Sequence, residues 1–197
     1  MILLLAVITG WLVGWTLSQI RGNPYRLPEL SGVWIVLVAI LPQLLVFHIP
    51  ATARWFADPW SPPVLVFSQT TLLAFVWVNR NQQGFWLLGA GLILNLVVIL
   101  ANGGLMPLSP ETASVIFPEI APSDWELGTR LGRSKNIILD PQDSLLSGLS
   151  DWILLPAWLP WRRAVSPGDV LISLGVVWFL IQGGLFHDHT PESDTSN

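Results

Sequence analysis

Cysteine is absent from this chain of 197 residues, and charged residues make up only 11% of it. The lack of cysteine excludes disulfide bonds, thiolate metal sites and cysteine nucleophiles. Soluble domains carry about 25% charged residues. The low charge and the hydrophobic content of 52% therefore indicate a membrane protein. No basic tract is present and the formal net charge is −4, so we expect no nucleic-acid partner.

Apolar runs of roughly the length needed to cross a bilayer, about 20 residues, recur along the chain. The first run has no charged residue before it and no small-residue cleavage motif after it, so we interpret it as a retained helix rather than a signal peptide. The sequence predicts an all-α membrane protein, with one membrane domain at 1–186 and a disordered tail at 187–197. Its five transmembrane helices are predicted at about 2–19, 32–49, 62–79, 85–101 and 169–186.

Small residues recur every four positions in the first run, at Ala6, Gly10, Gly14 and Ser18. They lie on one helix face, which would allow a second helix to approach closely. The alternative is that glycine is simply common in membrane helices.

Arginine bias predicts the orientation of the helices. With the N-terminus outside, the short cytoplasmic loops would hold Arg21, Arg26 and Arg80, and the short outer loop only Arg54. We therefore expect a multi-pass protein of the bacterial cytoplasmic (inner) membrane, with its N-terminus outside and its C-terminus inside.

Most of the acidic residues and the single lysine lie in the segment between the last two predicted helices, 102–168. Apolar residues at helical spacing predict an amphipathic helix over 143–155. This helix and the nearby tryptophans form a segment too short to span, so they predict a membrane-associated cap. Residues 136–140, whose β-branched side chains lead into a proline turn, predict a short extended segment. We expect a structural role, at a helix end or in a turn, for five residues of this region. They are Asn102, Gly103, Gly104, Pro107 and Gly168.

A cluster of basic residues within the cap is a candidate ligand or phosphate site, formed by Arg130, Arg133, Lys135 and Asn136. The alternative is that these cations pair with nearby carboxylates. His187 and His189 flank Asp188, but a third ligand on a rigid element is lacking, so we predict no metal site and no cofactor.

Four motifs together resemble a bacterial family of integral membrane proteins of unknown function. They are Asn102-Gly-Gly-Leu-Met-Pro, Gly132-Arg-Ser-Lys-Asn-Ile, Leu149-Ser-Asp151 and Ser166-Pro-Gly-Asp169. The resemblance implies an integral membrane protein and supplies no catalytic residues.

The order of Asn102-Gly-Gly, Asp151-Trp-Ile and Asp169 also resembles the lipoprotein signal peptidases, which are membrane aspartyl proteases. This resemblance implies two close carboxylates that activate water near the outer membrane face. Asp169 would be one, and its partner would be Asp140 or, failing that, Asp151. The chain departs from that family in having one helix more and no arginine after Asp140. For Asp169 the structural alternative is an N-cap of the last helix.

Two functions follow from the sequence. The first is a binding or accessory component that contacts the lipid bilayer and a membrane-protein partner or an anionic lipid. The second is a membrane aspartyl hydrolase acting at the outer interface. Whether the chain is an enzyme stays open at this point.

Overall fold

The computed structural model describes residues 2–49, 58–159 and 162–185. Within these ranges the chain is mostly helical, and five apolar helices lie within a few residues of the predicted positions. The predicted tail at 187–197 and the outer-loop arginine, Arg54, lie outside the described residues. The apolar helices are α1 (Ile2–Arg21), α2 (Val33–Gln43, continued by a π-helical turn over Leu44–His48), α3 (Ser61–Val78), α4 (Phe85–Ala101) and α6 (Pro167–Gln182).

Two of these helices, α1 and α3, are long and apolar enough to cross a membrane. The other three have 17 or fewer residues. By this criterion, two candidate spans are found among the described residues rather than the five that were predicted.

The apolar helices alternate in direction. α2 and α3 are antiparallel, because Ser31 pairs with Asn79 while Ala39 pairs with Ser68. α4 and α6 are also antiparallel, since Gly84 at the start of α4 lies against Gly175, while Gly91 lies against Gly168. The bundle therefore has two ends. The cap face carries residues 102–159 and 162–165, and the turn face carries residues 22–32 and 79–84.

The face of small residues on α1 packs against α6. Ala6, Gly10, Gly14 and Ser18 are all buried. A Cβ atom on Gly14 would lie 2.6 Å from the carbonyl oxygen of Leu180, so the two backbones are nearly in contact. The prediction of a helix-packing face is confirmed, and the two helices run in the same direction.

The cap contains short strands as well as turns. Strand β1 (Met106–Leu108) pairs in parallel with β2 (Asn136–Ile138), and β3 (Ile153–Leu154) pairs with β4 (Ala164–Val165) in antiparallel fashion. A short helix, α5 (Pro110–Ile116), starts at Ser109, whose hydroxyl accepts a hydrogen bond from the N–H of Thr112. The prediction of an extended segment at 136–140 is confirmed for Asn136–Ile138, which forms β2.

The prediction of an amphipathic helix over 143–155 is wrong. This segment forms turns, a 3₁₀ turn at Ser147–Leu149 and strand β3. Asn102 competes with helix formation for the backbone of Leu145. Its side chain donates to the Leu145 carbonyl and accepts from the Leu145 N–H. The serines and Gly148 of this segment also have low helix propensity, so local periodicity does not decide its structure.

We predict that Gly14→Leu lowers stability by about 1–3 kcal/mol, the usual cost of forcing extra volume into a packed site. The new side chain would have to separate α1 from α6. Thermal unfolding of the purified protein in detergent would measure the loss. Val13→Leu is the matched control, because Val13 is exposed on the same helix. Equal unfolding temperatures for the two variants would contradict the packing described here.

Candidate functional site

Among the described residues, Lys135 forms ion pairs with two carboxylates, those of Asp151 and Asp169. Its Nζ atom is 3.1 Å from Oδ2 of Asp169 and 3.3 Å from Oδ2 of Asp151. The Asp151 side chain is 3% exposed, and that of Asp169 is 19% exposed. One ammonium group therefore bridges two carboxylates that come from different parts of the chain.

The start of helix α6 positions Asp169. The hydroxyl of Ser166 accepts a hydrogen bond from the N–H of Asp169, and the carboxylate of Asp169 accepts from the N–H of Ser166. Such a capping box satisfies N–H groups that a helix start leaves without partners. Ser166 is thus the N-cap, and the expectation that Asp169 itself would be the N-cap is wrong. The helix begins two residues earlier than predicted.

Asn95 of α4 completes this side of the site. Its amide nitrogen donates to Oδ1 of Asp169 at 2.7 Å, and its amide oxygen accepts from the Ser166 hydroxyl at 2.7 Å. Gly168 makes this approach possible, since a Cβ atom there would lie 2.1 Å from the Asn95 side-chain oxygen. The glycine at this position therefore lets two helices share a hydrogen-bonded polar group.

The paired strands of the cap position the other side of the site. β1 and β2 set Asn136 beside Met106, and the Asn136 amide donates to Oδ2 of Asp151 at 2.8 Å. The backbone N–H of Asp151 donates to the carbonyl of Pro107 at 3.3 Å. Asp151 is thereby held against the strand that follows Asn102-Gly-Gly.

The charges in the cluster decide its protonation. Burial alone would lower the pKa of Lys135, but attraction to Asp151 and Asp169 outweighs it, and the pKa lies above its ordinary value of 10.5. For Asp151 burial is the largest effect and raises the pKa, although Lys135 opposes this. The lysine therefore stays charged, while Asp151 takes up a proton more readily than a carboxyl group in water does.

The two carboxylates are close enough to act on one ligand. The contact distances of 3.3 and 3.1 Å to a single nitrogen atom limit the separation of their Oδ2 atoms to 6.4 Å. The ammonium group of Lys135 lies between them, so a water shared by both carboxylates would have to replace it. Among the described residues, no group of His, Cys, Asp and Glu is arranged to hold a metal ion.

The remaining predicted site residues lie elsewhere. The Asp140 carboxylate accepts a hydrogen bond from the N–H of Gln142 and is not part of the cluster. Arg130 lies over the ring of Phe47 and donates to the Ser61 hydroxyl. Arg133 is exposed. Lys135 and Asn136 thus pair with carboxylates, the arrangement that the sequence left open as the alternative to phosphate binding.

Asn102 at the end of α4 joins the helix to the cap. Its amide donates to the carbonyl of Val98 in the last turn of the helix and to the carbonyl of Leu145. The following glycines have φ values of +75° and +90°, a region that favours glycine. Gly104 also lies so close to Pro62 that a side chain there would clash with it.

Sequence reasoning recognised Asp151 and Asp169 but did not include Asn95 or Ser166 in the site. Asn95 is a polar residue in the middle of an apolar run, a pattern that predicts an interhelical hydrogen bond, and its bond to Asp169 is of this kind. The Ser-x-x-Asp spacing at 166–169 carried the signal for the capping box. Neither pattern identified the residue that Asn95 or Ser166 would contact across the helices.

We predict that Lys135→Met destabilises the protein by about 3–5 kcal/mol, because the substitution leaves buried carboxylates without a compensating charge. Without the ammonium group, burial would raise the pKa of Asp151 further, and a raised carboxyl pKa favours the folded state as pH falls. The deficit relative to the unmodified protein should therefore shrink between about pH 8 and about pH 5. Thermal unfolding in detergent at both pH values would measure it.

Two further variants serve as controls for this prediction. Arg133→Met removes an exposed cation two residues away and should change stability by no more than about 0.5 kcal/mol. Adding Asp151→Asn to Lys135→Met removes one of the orphaned charges and should restore part of the stability. Lys135→Met and Arg133→Met variants of equal stability would show that the cluster does not hold the cap in place.

Comparisons with known proteins place this chain in a wider group of sequences. An uncharacterized protein of Thermotoga maritima is 28% identical over 184 residues, which cover 89% of this chain and 90% of that protein. No solved structure matches the chain. A family model described as a family of unknown function, DUF5317, matches residues 28–181, a range that contains every member of the charged cluster. The chain belongs to this family of unknown function.

Proposed function

We propose that this chain is a five-span membrane protein that acts as a binding or accessory component, with its ligand or partner recognised at the cap face. The observation that carries the proposal is the buried contact of Lys135 with Asp151 and Asp169. Little-exposed carboxylates are costly unless they are paired, and ionisable groups with shifted pKa values of this kind cluster at functional sites. This cluster joins the cap to α6 at the point where a ligand would meet both.

The alternation of the apolar helices supports five spans. Each connection reverses the chain direction, as five successive crossings require, and the outward helix faces carry exposed apolar side chains such as Trp34 and Trp86. Helices of 16–17 residues are about 24–26 Å long. They are shorter than the hydrocarbon core of about 30 Å, and local thinning of the bilayer or oligomerisation would accommodate them.

The distribution of arginine supports the orientation with the N-terminus outside. Arg21, Arg26 and Arg80 all lie at the turn face, where Arg21 donates to the carbonyl of Leu185 and the N–H of Arg26 donates to that of Gly183. The positive-inside rule would put this face in the cytoplasm. The cap would then lie on the outer side of a bacterial cytoplasmic membrane, and the C-terminus inside.

The partner groups of the cluster favour binding over hydrolysis. Besides its contact with Lys135, each carboxylate accepts from a carboxamide, Asp169 from Asn95 and Asp151 from Asn136. A water-activating carboxylate pair needs room for water between the two groups and a shared proton.

The cap also carries exposed arginines, whose charge suits the headgroups of anionic lipids. They are Arg133, Arg162 and Arg163.

Hydrolysis is the second candidate, and the 6.4 Å limit on the separation of the Asp151 and Asp169 oxygen atoms favours it. In this function a substrate group would draw Lys135 aside, and water would enter between the carboxylates. Asp151 would then be the catalytic partner of Asp169, instead of Asp140, which the resemblance to signal peptidases implied first.

Accessibility labelling tests the topology, and the natural absence of cysteine makes single cysteine variants straightforward. Gln142→Cys lies in the cap and Asn81→Cys at the turn face, and both positions are exposed. In bacterial spheroplasts a membrane-impermeant maleimide should label the first directly and the second only after permeabilisation. Val97→Cys, on the exposed face of α4, should stay unlabelled in both states because lipid covers it. Labelling at position 97 would contradict a spanning α4.

Extraction and mutation separate binding from hydrolysis. Gentle extraction should recover the chain with a lipid or a membrane-protein partner, identified by native mass spectrometry. Asp169→Asn and Asp151→Asn should weaken that association while the protein still accumulates in the membrane. A bare monomer without lipid would contradict the binding role. Cleavage of a membrane protein or lipid that both variants abolish would establish the hydrolase in its place.

A further inference from the structure

A cavity of about 260 Å³ opens in the cap beside the charged cluster. It lies next to Asp151, since Ser150 and Trp152 both line it while Asp151 itself does not. The carbonyl of Pro107, another lining residue, holds the backbone of Asp151. The cavity and the cluster therefore lie on opposite sides of the same short stretch of chain.

Serine hydroxyls dominate the polar part of this cavity. Four serines line it: Ser109, Ser144, Ser147 and Ser150. None of the nine lining residues carries a charge. A phosphate or carboxylate in the cavity would find no counter-charge there. The Ser109 hydroxyl donates to Thr112 and the Ser150 hydroxyl to the carbonyl of Ser147, but each keeps a free acceptor site, so a neutral ligand with several hydroxyl groups can donate to them.

The Ser144 hydroxyl is the polar group that most needs a partner. Its oxygen atom is buried and has no hydrogen-bond partner among the described residues. Leaving such a group unsatisfied costs about 1–3 kcal/mol. A ligand hydroxyl in the cavity would recover that cost, so Ser144 directs the recognition towards a hydroxylated group.

Trp152 forms a flat apolar wall at the cavity. It is 53% exposed although it lines the cavity, and its Nε1 donates to the carbonyl of Gly148 at 2.9 Å, which anchors the ring. The face of an aromatic ring is electron-rich. It therefore attracts the weakly positive C–H groups on one face of a sugar ring.

The loop that carries these residues is held in a strained shape. Leu146 has a φ of +58°, and among the described residues it is the non-glycine residue with a positive φ. Residues in this region cost about 1–3 kcal/mol and cluster at ligand sites. Asn102 fixes the neighbouring Leu145 by two hydrogen bonds, so the loop is presented in one conformation.

We propose that this cavity binds a neutral hydroxylated ring of the hexose class, either as a free sugar or as the headgroup of a glycolipid. The proposal goes beyond the binding function above, because it adds an uncharged ligand site on the same cap face. The volume lies just below the usual range of about 300–1,000 Å³ for ligand sites, so it suits one ring and not a longer saccharide. Trp152 would stack on the ring and Ser144 would bond to one hydroxyl.

The test uses the full chain in nanodiscs of phosphatidylglycerol, because sugar-based detergents would compete for the site. Saturation-transfer NMR with methyl glucoside measures the free sugar, and nanodiscs that contain a monoglucosyl diacylglycerol test the headgroup. Binding of either probe supports the proposal, and the arm that binds identifies the source. Inorganic phosphate, the charged control, should not bind in the cavity.

Trp152→Leu should weaken sugar binding about tenfold or more, and Ser144→Ala about threefold or more. Trp158→Leu is the matched control, since Trp158 is 79% exposed in the same segment and does not line the cavity. Unchanged unfolding temperatures would show that all three variants are folded. Equal losses in Trp152→Leu and Trp158→Leu would overturn the site.

The outcome also separates this inference from the proposed function. If neither probe binds while gentle extraction still recovers a lipid or partner, the sugar site is refuted and the binding function stands. If neither probe binds and a bare monomer is recovered, both are refuted.

Discussion

The contact of one ammonium group with two carboxylates is the interaction on which the cap face depends. Asp169 belongs to the last apolar helix, Asp151 lies just before β3, and Lys135 lies just before β2. Each carboxylate by itself would be a costly buried charge. The ammonium group of Lys135 compensates both negative charges, and it thereby connects segments that are far apart in the chain.

Close backbone approach makes this arrangement possible. α4 and α6 meet at Gly91 and Gly168 so closely that neither position has room for a side chain. This contact brings Asn95 within reach of Ser166 and Asp169. The packing of the helices and the polar contacts of the site therefore depend on each other. The glycines at the helix contact set the distances from Asn95 to Ser166 and Asp169.

Much of this organisation could be predicted from residue patterns. The apolar runs located α1 to α4 and α6 within a few residues, and the spacing of small residues on α1 identified its packing face. These features depend on local composition and periodicity, which the sequence displays directly.

The features that were not predicted depend on contacts between distant segments. The partners of Lys135 lie 16 and 34 residues away, and the pairing of β1 with β2 decides which side chains face it. The segment at 143–155 failed as a helix for the same reason, because Asn102, more than 40 residues earlier, holds its first turn. No window of local sequence contains that information.

The parallel packing of α1 against α6 has a consequence for biosynthesis. The two helices are the first and last of the described apolar helices, so α1 must wait for nearly the whole chain before its glycine face is covered. Asn95 and Lys135 wait for the same helix, which brings Asp169. In a chain made from its N-terminus, the closing of the bundle and the completion of its charged cluster become one late event. A ribosome product that stops before α6 would therefore leave an open helix face and a lysine with one of its two carboxylate partners.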